Sequence, residues 1–165
     1  MTSKLFNLFY LFILFVACSD DKNIENIKQV DIIYSPSFHN RSVLHLDKEA
    51  GIGTFMVNNV ITYSYGVPLQ LSFFLKEAES QLSISRFWDE MFLKSLQRDE
   101  TAIPNRDGMT TWIFYSNGEQ KDSVNLGNIY TPRVDSIISE QLKYIDSITK
   151  DSAMKGYIRQ VTEYL

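Results

Sequence analysis

The chain contains a single cysteine, Cys18. One cysteine excludes a disulfide within the chain and a zinc site built from several cysteine ligands. The fold must therefore be held together by its hydrophobic core. Aromatic residues make up 13% of the chain, which is enough to build such a core. The sequence contains no internal repeat and no low-complexity segment, so we expect a single domain.

The N-terminus has the three parts of a secretory signal peptide. Lys4 supplies a positive charge, residues 5–16 form an almost uninterrupted apolar run, and Ala17 precedes Cys18. The apolar run is too short to cross a bilayer, which requires roughly 20 apolar residues. A buried core helix is the alternative, but such a helix usually has a polar face and this run has almost none. We therefore predict that residues 1–17 are a signal peptide.

Residues 15–18, Phe-Val-Ala-Cys, resemble the lipobox of bacterial lipoproteins, in which the cysteine is acylated and the signal peptide is then removed. Phe15 stands where leucine is usual. Residues 19–21, Ser-Asp-Asp, resemble the short acidic signal that directs lipoproteins of the Bacteroidota to the outer face of the outer membrane. The resemblance is to small Bacteroidota-type lipoproteins and implies a location, not an activity. We expect a lipid anchor on Cys18, a place in the outer membrane and exposure at the cell surface.

Residues 18–28 are polar apart from two isoleucines and predict a flexible tether, followed by one domain at residues 29–165. The chain carries 16 basic and 20 acidic residues, which gives a net charge of −4. The charges are spread along the chain without a basic block, so we expect no nucleic-acid partner. We also expect that the lipid on Cys18 is the whole contact with the membrane. The sequence indicates no cofactor.

The spacing of apolar residues predicts an α+β fold. Strands are predicted at residues 29–34, 42–47, 51–57, 69–76, 109–115 and 121–126. The last two strands flank Asn117-Gly118, which predicts a tight hairpin turn. Hairpin connections favour an antiparallel sheet of about five or six strands, with about three helices mainly on one face.

Three helices are predicted from capping residues and period-3.6 patterns. The first covers residues 85–97, with Ser85 as its N-cap. Within it, five residues recur at helical spacing: Trp88, Met91, Phe92, Ser95 and Leu96. The second helix opens at Thr131-Pro132 and the third follows Asp151 as a capping residue.

His45 and Asp47 fall on the same face of one predicted strand, and His39 lies just upstream. These residue types can ligate zinc, but a firm site needs three or four ligands at a recognised spacing. A half-buried strand residue is the simpler interpretation of His45. The chain also lacks the Gly-x-Ser-x-Gly elbow of many serine hydrolases and a glycine-rich phosphate loop. The sequence therefore favours a protein that is not an enzyme.

The strand at residues 109–115 has apolar residues on both faces, with Trp112 and Phe114 on one of them. The simpler interpretation is a central strand that is covered on both sides. The alternative is an aromatic surface that recognises a ligand or a protein, to which Tyr63 and Tyr65 could contribute.

Four tripeptides have the form Asp-Ser-aliphatic, and their serines are Ser123, Ser136, Ser147 and Ser152. They resemble the acceptor motif for O-glycosylation of exported Bacteroidota proteins. The alternative is local helix chemistry, because an Asp-Ser pair makes a good helix N-terminus or polar face. We predict that at least one of these serines is glycosylated, with Ser152 the best placed of the four.

The function indicated is that of a lipid-anchored envelope protein acting as a binding or interaction module. An envelope hydrolase with a carboxylate- or His-centred site is one alternative, and a pocket that joins His45 to converging carboxylates would favour it. An immunity- or inhibitor-type protein is another alternative, which a neighbouring toxin gene would reveal.

Changing Cys18→Ala is expected to abolish fatty-acid labelling of the protein and to leave the domain folded, because the acyl chains are attached through this thiol. Labelled palmitate fed to expressing cells measures the attachment. The Ser19→Ala variant serves as the control and should keep the label. Labelling that persists in Cys18→Ala would contradict the lipoprotein assignment.

Overall fold

The computed structural model describes residues 24–37, 39–58, 69–97, 108–127 and 132–163. The strands are β1 (Gln29–Pro36), β2 (Ser42–Asp47), β3 (Ile52–Val57), β4 (Leu69–Phe74), β5 (Met109–Ser116) and β6 (Lys121–Gly127). The helices are α1 (Leu75–Ala78), α2 (Glu90–Lys94), α3 (Pro132–Ile148) and α4 (Ser152–Thr162). A 3₁₀ turn at Ile84–Trp88 precedes α2.

The six strands form an antiparallel sheet in the order β4-β3-β2-β1-β5-β6. Strands β1 to β4 follow one another as neighbours, and the chain then returns to place β5 on the other side of β1. The hairpin of β5 and β6 completes that edge. The predicted α+β fold with an antiparallel sheet is confirmed.

The helices α3 and α4 pack on one face of the sheet, which we call the inner face. Alternate residues of β1 point into this layer and are fully buried: Val30, Ile32 and Tyr34. The Tyr34 hydroxyl donates a hydrogen bond to Gln141 Oε1 of α3. The Tyr157 hydroxyl of α4 donates to Ser42 Oγ of β2 at 2.9 Å. These contacts place the core between the sheet and the two helices.

A glycine allows α3 to approach the β4 edge of the sheet. A Cβ added at Gly53 would lie 2.3 Å from Phe73 Cζ, so the ring of Phe73 lies directly against the backbone of β3. The same ring meets Tyr144 of α3 edge to face, with 5.3 Å between the centroids. Any larger residue at position 53 would displace the Phe73 ring from this contact.

The predicted helix at residues 85–97 is wrong in its start and in its buried face. Its first part is the 3₁₀ turn, and Asp89 then adopts an extended conformation with φ −110° and ψ 111°. The Asp89 carboxylate accepts a hydrogen bond from the Met91 N–H at 2.9 Å, so Asp89 caps α2 in place of Ser85. Because this break rotates the helix, Leu93 is buried while Met91 is exposed.

Two predicted boundaries also shift. The strand predicted at residues 69–76 ends at Phe74, and Leu75 begins α1. The tether predicted at residues 18–28 is wrong for Ile24 and Ile27, which are both buried in the core, and residues 18–23 lie outside the described residues. Two isoleucines among polar residues are typical of a linker in composition. Here, residues 24–28 have no regular secondary structure, yet both isoleucines are part of the core.

The tight hairpin turn predicted at Asn117-Gly118 connects β5 and β6 over residues 117–120, and the Asn117 N–H donates to the Gln120 carbonyl at 3.3 Å. The Asn117 Oδ1 accepts hydrogen bonds from the Glu119 and Gln120 N–H groups, and Gly118 has a φ of 97°.

The start of α4 is confirmed. The Asp151 Oδ1 accepts from the Ala153 N–H at 2.7 Å and from the Met154 N–H at 3.1 Å.

The variant Tyr157→Phe is expected to be less stable at pH 7 by about 1–3 kcal/mol, because it removes a hydroxyl that donates to the Asn40 carbonyl at 2.7 Å and is hydrogen-bonded to the buried Ser42 Oγ at 2.9 Å. Burial raises the pKa of Tyr157 to about 12. The protonated Tyr157 hydroxyl therefore contributes its full share of the free energy of unfolding below pH ~10, the ordinary tyrosine pKa. This contribution is lost as the pH rises toward 12. Urea unfolding between pH 7 and pH 12 should show that the free energy of unfolding falls less for Tyr157→Phe than for the wild type. An equal fall in both proteins would contradict the role given to the Tyr157 hydroxyl.

Candidate functional site: the open face of the sheet

The face of the sheet opposite the helices carries a continuous row of apolar side chains. In the register of the strands, Ile33 of β1 lies between Trp112 of β5 and Val43 of β2, and Val43 is paired with Met56 of β3. Adjacent strands lie about 4.8 Å apart, so these four side chains span about 14 Å. We call Met56, Val43, Ile33 and Trp112 the apolar strip.

Trp112 and Phe114 form the most exposed part of this face on β5. Their rings are nearly parallel, with an interplanar angle of 18° and 6.2 Å between the centroids. Their exposed fractions are 36% and 42%, whereas Ile113 and Tyr115, which point to the helices, are buried. The strand is therefore central in the sheet but covered on its inner face only. The interpretation of this strand as covered on both sides is wrong, and the aromatic surface is the alternative that remains.

A hydrogen-bonded histidine–aspartate pair lies beside the apolar strip. The His45 Nδ1 and the Asp31 Oδ1 are 2.6 Å apart, and both side chains are partly exposed. In the register, Asp31 is opposite Phe114, and His45 is opposite Thr54. The open face thus combines an apolar strip with a polar row in which one histidine is held by one carboxylate. Asp31 was not singled out from the sequence, although its position opposite His45 follows once β1 and β2 are aligned.

The residues considered as metal ligands are not brought together. Asp47 lies on the same face as His45, as predicted, but its carboxylate accepts from the Ala50 N–H at 2.8 Å and from the Gln29 side chain at 3.2 Å. The Ala50 N–H is the main cause that lowers the pKa of Asp47. His39 lies in the connection between β1 and β2. Among the residues that the structure describes, no group of three or more His, Cys, Asp or Glu side chains could hold a metal ion.

Two cavities lie away from the Asp31–His45 pair. One, of about 350 Å³, is bordered by Asn40, Leu69 and Tyr157. The other, of about 380 Å³, is bordered by Leu71, Phe74 and Tyr144 at the β4 edge. Neither of these two cavities includes the Asp31–His45 pair or the rings of Trp112 and Phe114.

The four candidate glycosylation serines are all exposed: Ser123, Ser136, Ser147 and Ser152. The Ser136 hydroxyl is 3.3 Å from a Glu140 oxygen, and the Ser147 hydroxyl donates to the Tyr144 carbonyl at 2.7 Å. Capping of α4 by Asp151 accounts for the aspartate before Ser152. Their glycosylation stays a prediction.

Cys18, Tyr63 and Tyr65 lie outside the described residues. In the part of the chain that is described, no helix has the length and apolar character needed to cross a membrane. A scan against models of known protein families finds no match, and a search of curated proteins finds no similar chain.

The exposed aromatic side chains should contribute little to folding. We expect Trp112→Thr and Phe114→Thr each to change the free energy of unfolding by about 1 kcal/mol at most, because threonine keeps the strand preference and both rings face solvent. Ile113→Ala, between them, should cost about 2–5 kcal/mol because it leaves a cavity in the core. Urea unfolding of the three variants measures the difference. Equal losses at all three positions would show that the aromatic pair is part of the core.

Proposed function

We propose that this protein is a lipid-anchored component of the bacterial cell envelope whose open sheet face binds a partner protein. The lipobox-like residues 15–18 support the anchor. The observation that carries the binding function is the stacked, half-exposed pair of Trp112 and Phe114 on the face of the sheet opposite the helices.

The chemistry of the face favours a binding role. A solvated sheet face usually carries mostly polar side chains, whereas this face exposes the rings of Trp112 and Phe114 beside the aliphatic Ile33 and Val43. Aromatic residues are enriched at the centres of protein interfaces because they remove a large apolar area from water and lose little side-chain entropy. The Asp31–His45 pair next to the rings supplies a hydrogen-bonding group that fixes orientation.

The shape of the face favours a protein over a small molecule. Small ligands are held in concave pockets that bury most of their surface, whereas the apolar strip crosses four neighbouring strands of an open sheet. The partner should present an apolar patch to the strip. It should also present a basic or hydrogen-bond-donating group to Asp31, since Asp31 and Asp47 make this part of the face acidic.

The hydrolase alternative has one supporting observation, the 2.6 Å contact between His45 and Asp31. A carboxylate that holds a histidine is one part of a catalytic triad, but the mechanism also needs a nucleophile next to the other ring nitrogen. The neighbouring hydroxyl, Thr54 Oγ1, is instead 3.4 Å from Ser72 Oγ. The partner-binding function is therefore preferred.

Site-specific photocrosslinking in the native envelope tests the proposal. A photoreactive phenylalanine analogue is placed at position 114, and at the exposed position 160 on α4 as the control. We expect a discrete crosslinked protein from position 114 only, and we expect Trp112→Thr in the same chain to weaken it by tenfold or more, which corresponds to about 1.4 kcal/mol. The absence of a discrete product at 114, or the same product at 160, would overturn the binding function.

A further inference from the structure

The chain joins the folded domain at a fixed point. Ile24 is buried, and its N–H donates a hydrogen bond of 2.7 Å to Glu90 Oε2. Glu90 is itself buried in α2 and forms an ion pair with Lys94 at 3.2 Å. Cys18 precedes Ile24 by six residues. Because each residue extends the chain by about 3.5 Å at most, a lipid on Cys18 would hold α2 within about 20 Å of the anchored residue.

The surface beside this point is both apolar and basic. Met91 of α2 is 78% exposed. The guanidinium groups of Arg86 and Arg133 lie 5.9 Å and 5.2 Å from the centre of the Phe92 ring. The Lys48 ammonium lies 5.6 Å from the centre of the Trp88 ring. We call Lys48, Arg86, Trp88, Met91, Phe92 and Arg133 the basic–aromatic surface.

Four acidic residues of the same region have other partners. The Asp89 carboxylate caps α2, and the Glu90 carboxylate is buried. Glu49 pairs with Lys28 at 2.7 Å, and Asp122 lies 4.0 Å from the Lys94 ammonium. Among the side chains that the structure describes, no carboxylate forms an ion pair with Lys48, Arg86 or Arg133. All three residues are exposed, although the chain as a whole has a net charge of −4.

We infer that the basic–aromatic surface rests on the anionic lipid headgroups of the membrane that holds the Cys18 lipid. This inference rests on the anchor in the proposed function. Aromatic rings and long basic side chains at an interface place apolar atoms toward the acyl chains and charges beside phosphates. Each basic residue near an anionic membrane strengthens the contact by about fivefold. Since the three cations come from separate segments of the chain, no basic block marks this surface in the sequence.

Lipidated full-length protein in vesicles provides the test. Acylation consumes the Cys18 thiol, so Met91→Cys introduces a unique site for a fluorophore. Gln160→Cys on α4 gives the matched control. The vesicles contain phosphatidylglycerol and brominated phosphatidylcholine, which quenches fluorophores that reach the acyl chains. We expect strong quenching at position 91, weak quenching at position 160, and loss of the difference in vesicles without phosphatidylglycerol or at high salt.

The variant that combines Lys48→Gln, Arg86→Gln and Arg133→Gln should weaken the contact at position 91 by about fivefold for each cation removed. Equal quenching at positions 91 and 160, or quenching unaffected by the three substitutions, would overturn the inference. Fatty-acid labelling of the same samples separates the two proposals. If the protein is acylated and a fluorophore at position 91 is not quenched, the inferred contact of the basic–aromatic surface is wrong while the lipid anchor on Cys18 is supported. If the protein is not acylated, both the anchor and the inferred contact are wrong.

Discussion

The packing of α3 and α4 against the inner face of the sheet determines which side chains the opposite face exposes. Tyr34 and Tyr157 are anchored across this layer by hydrogen bonds to Gln141 and Ser42, so the helices are held to the sheet by polar contacts as well as by apolar burial. Strand residues alternate between the two faces, and every residue that does not point to the helices must point to the open side. Since Trp112 is one of these residues, its exposure follows from the position of the helices.

A second constraint acts at the end of the sheet where the chain joins the domain. The buried Glu90 carboxylate accepts from the Ile24 N–H and pairs with the Lys94 ammonium at 3.2 Å. The Tyr115 hydroxyl lies 3.3 Å from Glu90 Oε1 and 3.1 Å from Asp122 Oδ2, and so is shared between the two carboxylates. Burial, followed by the carboxylates of Asp122 and Glu90, raises the pKa of Tyr115, so its hydroxyl remains protonated and able to donate. Loss of one of these partners would leave the buried carboxylate unsatisfied and would destabilise the folded state. This cluster therefore fixes the first residues of the domain against both α2 and β5.

The sequence predicts the strands and the two long helices well because each has a local signal. Alternation marks β1 and β2, and Asp151 marks α4 through a capping bond that the structure retains. The sequence does not predict the break at Asp89, because an extended residue between two short helical turns leaves the apolar spacing nearly unchanged. It also does not predict the Asp31–His45 pair or the apolar strip. These depend on which residues of different strands lie opposite each other, and pairing between strands has no signal within one strand.

The two proposed contacts are compatible because they use different residues. The apolar strip lies on the open face of the sheet, whereas the residues of the basic–aromatic surface lie outside the strands. Ser116 accepts a hydrogen bond from the Lys28 N–H, so the end of β5 that bears Ser116 lies beside the point where the chain joins the domain. Trp112 lies four residues back along β5, which corresponds to about 13 Å of strand. A membrane contact at α2 would therefore leave the residues of the apolar strip available to a partner protein. The short distance between Cys18 and Ile24 would then help binding, because a domain held close to the membrane samples fewer orientations than one on a long flexible tether.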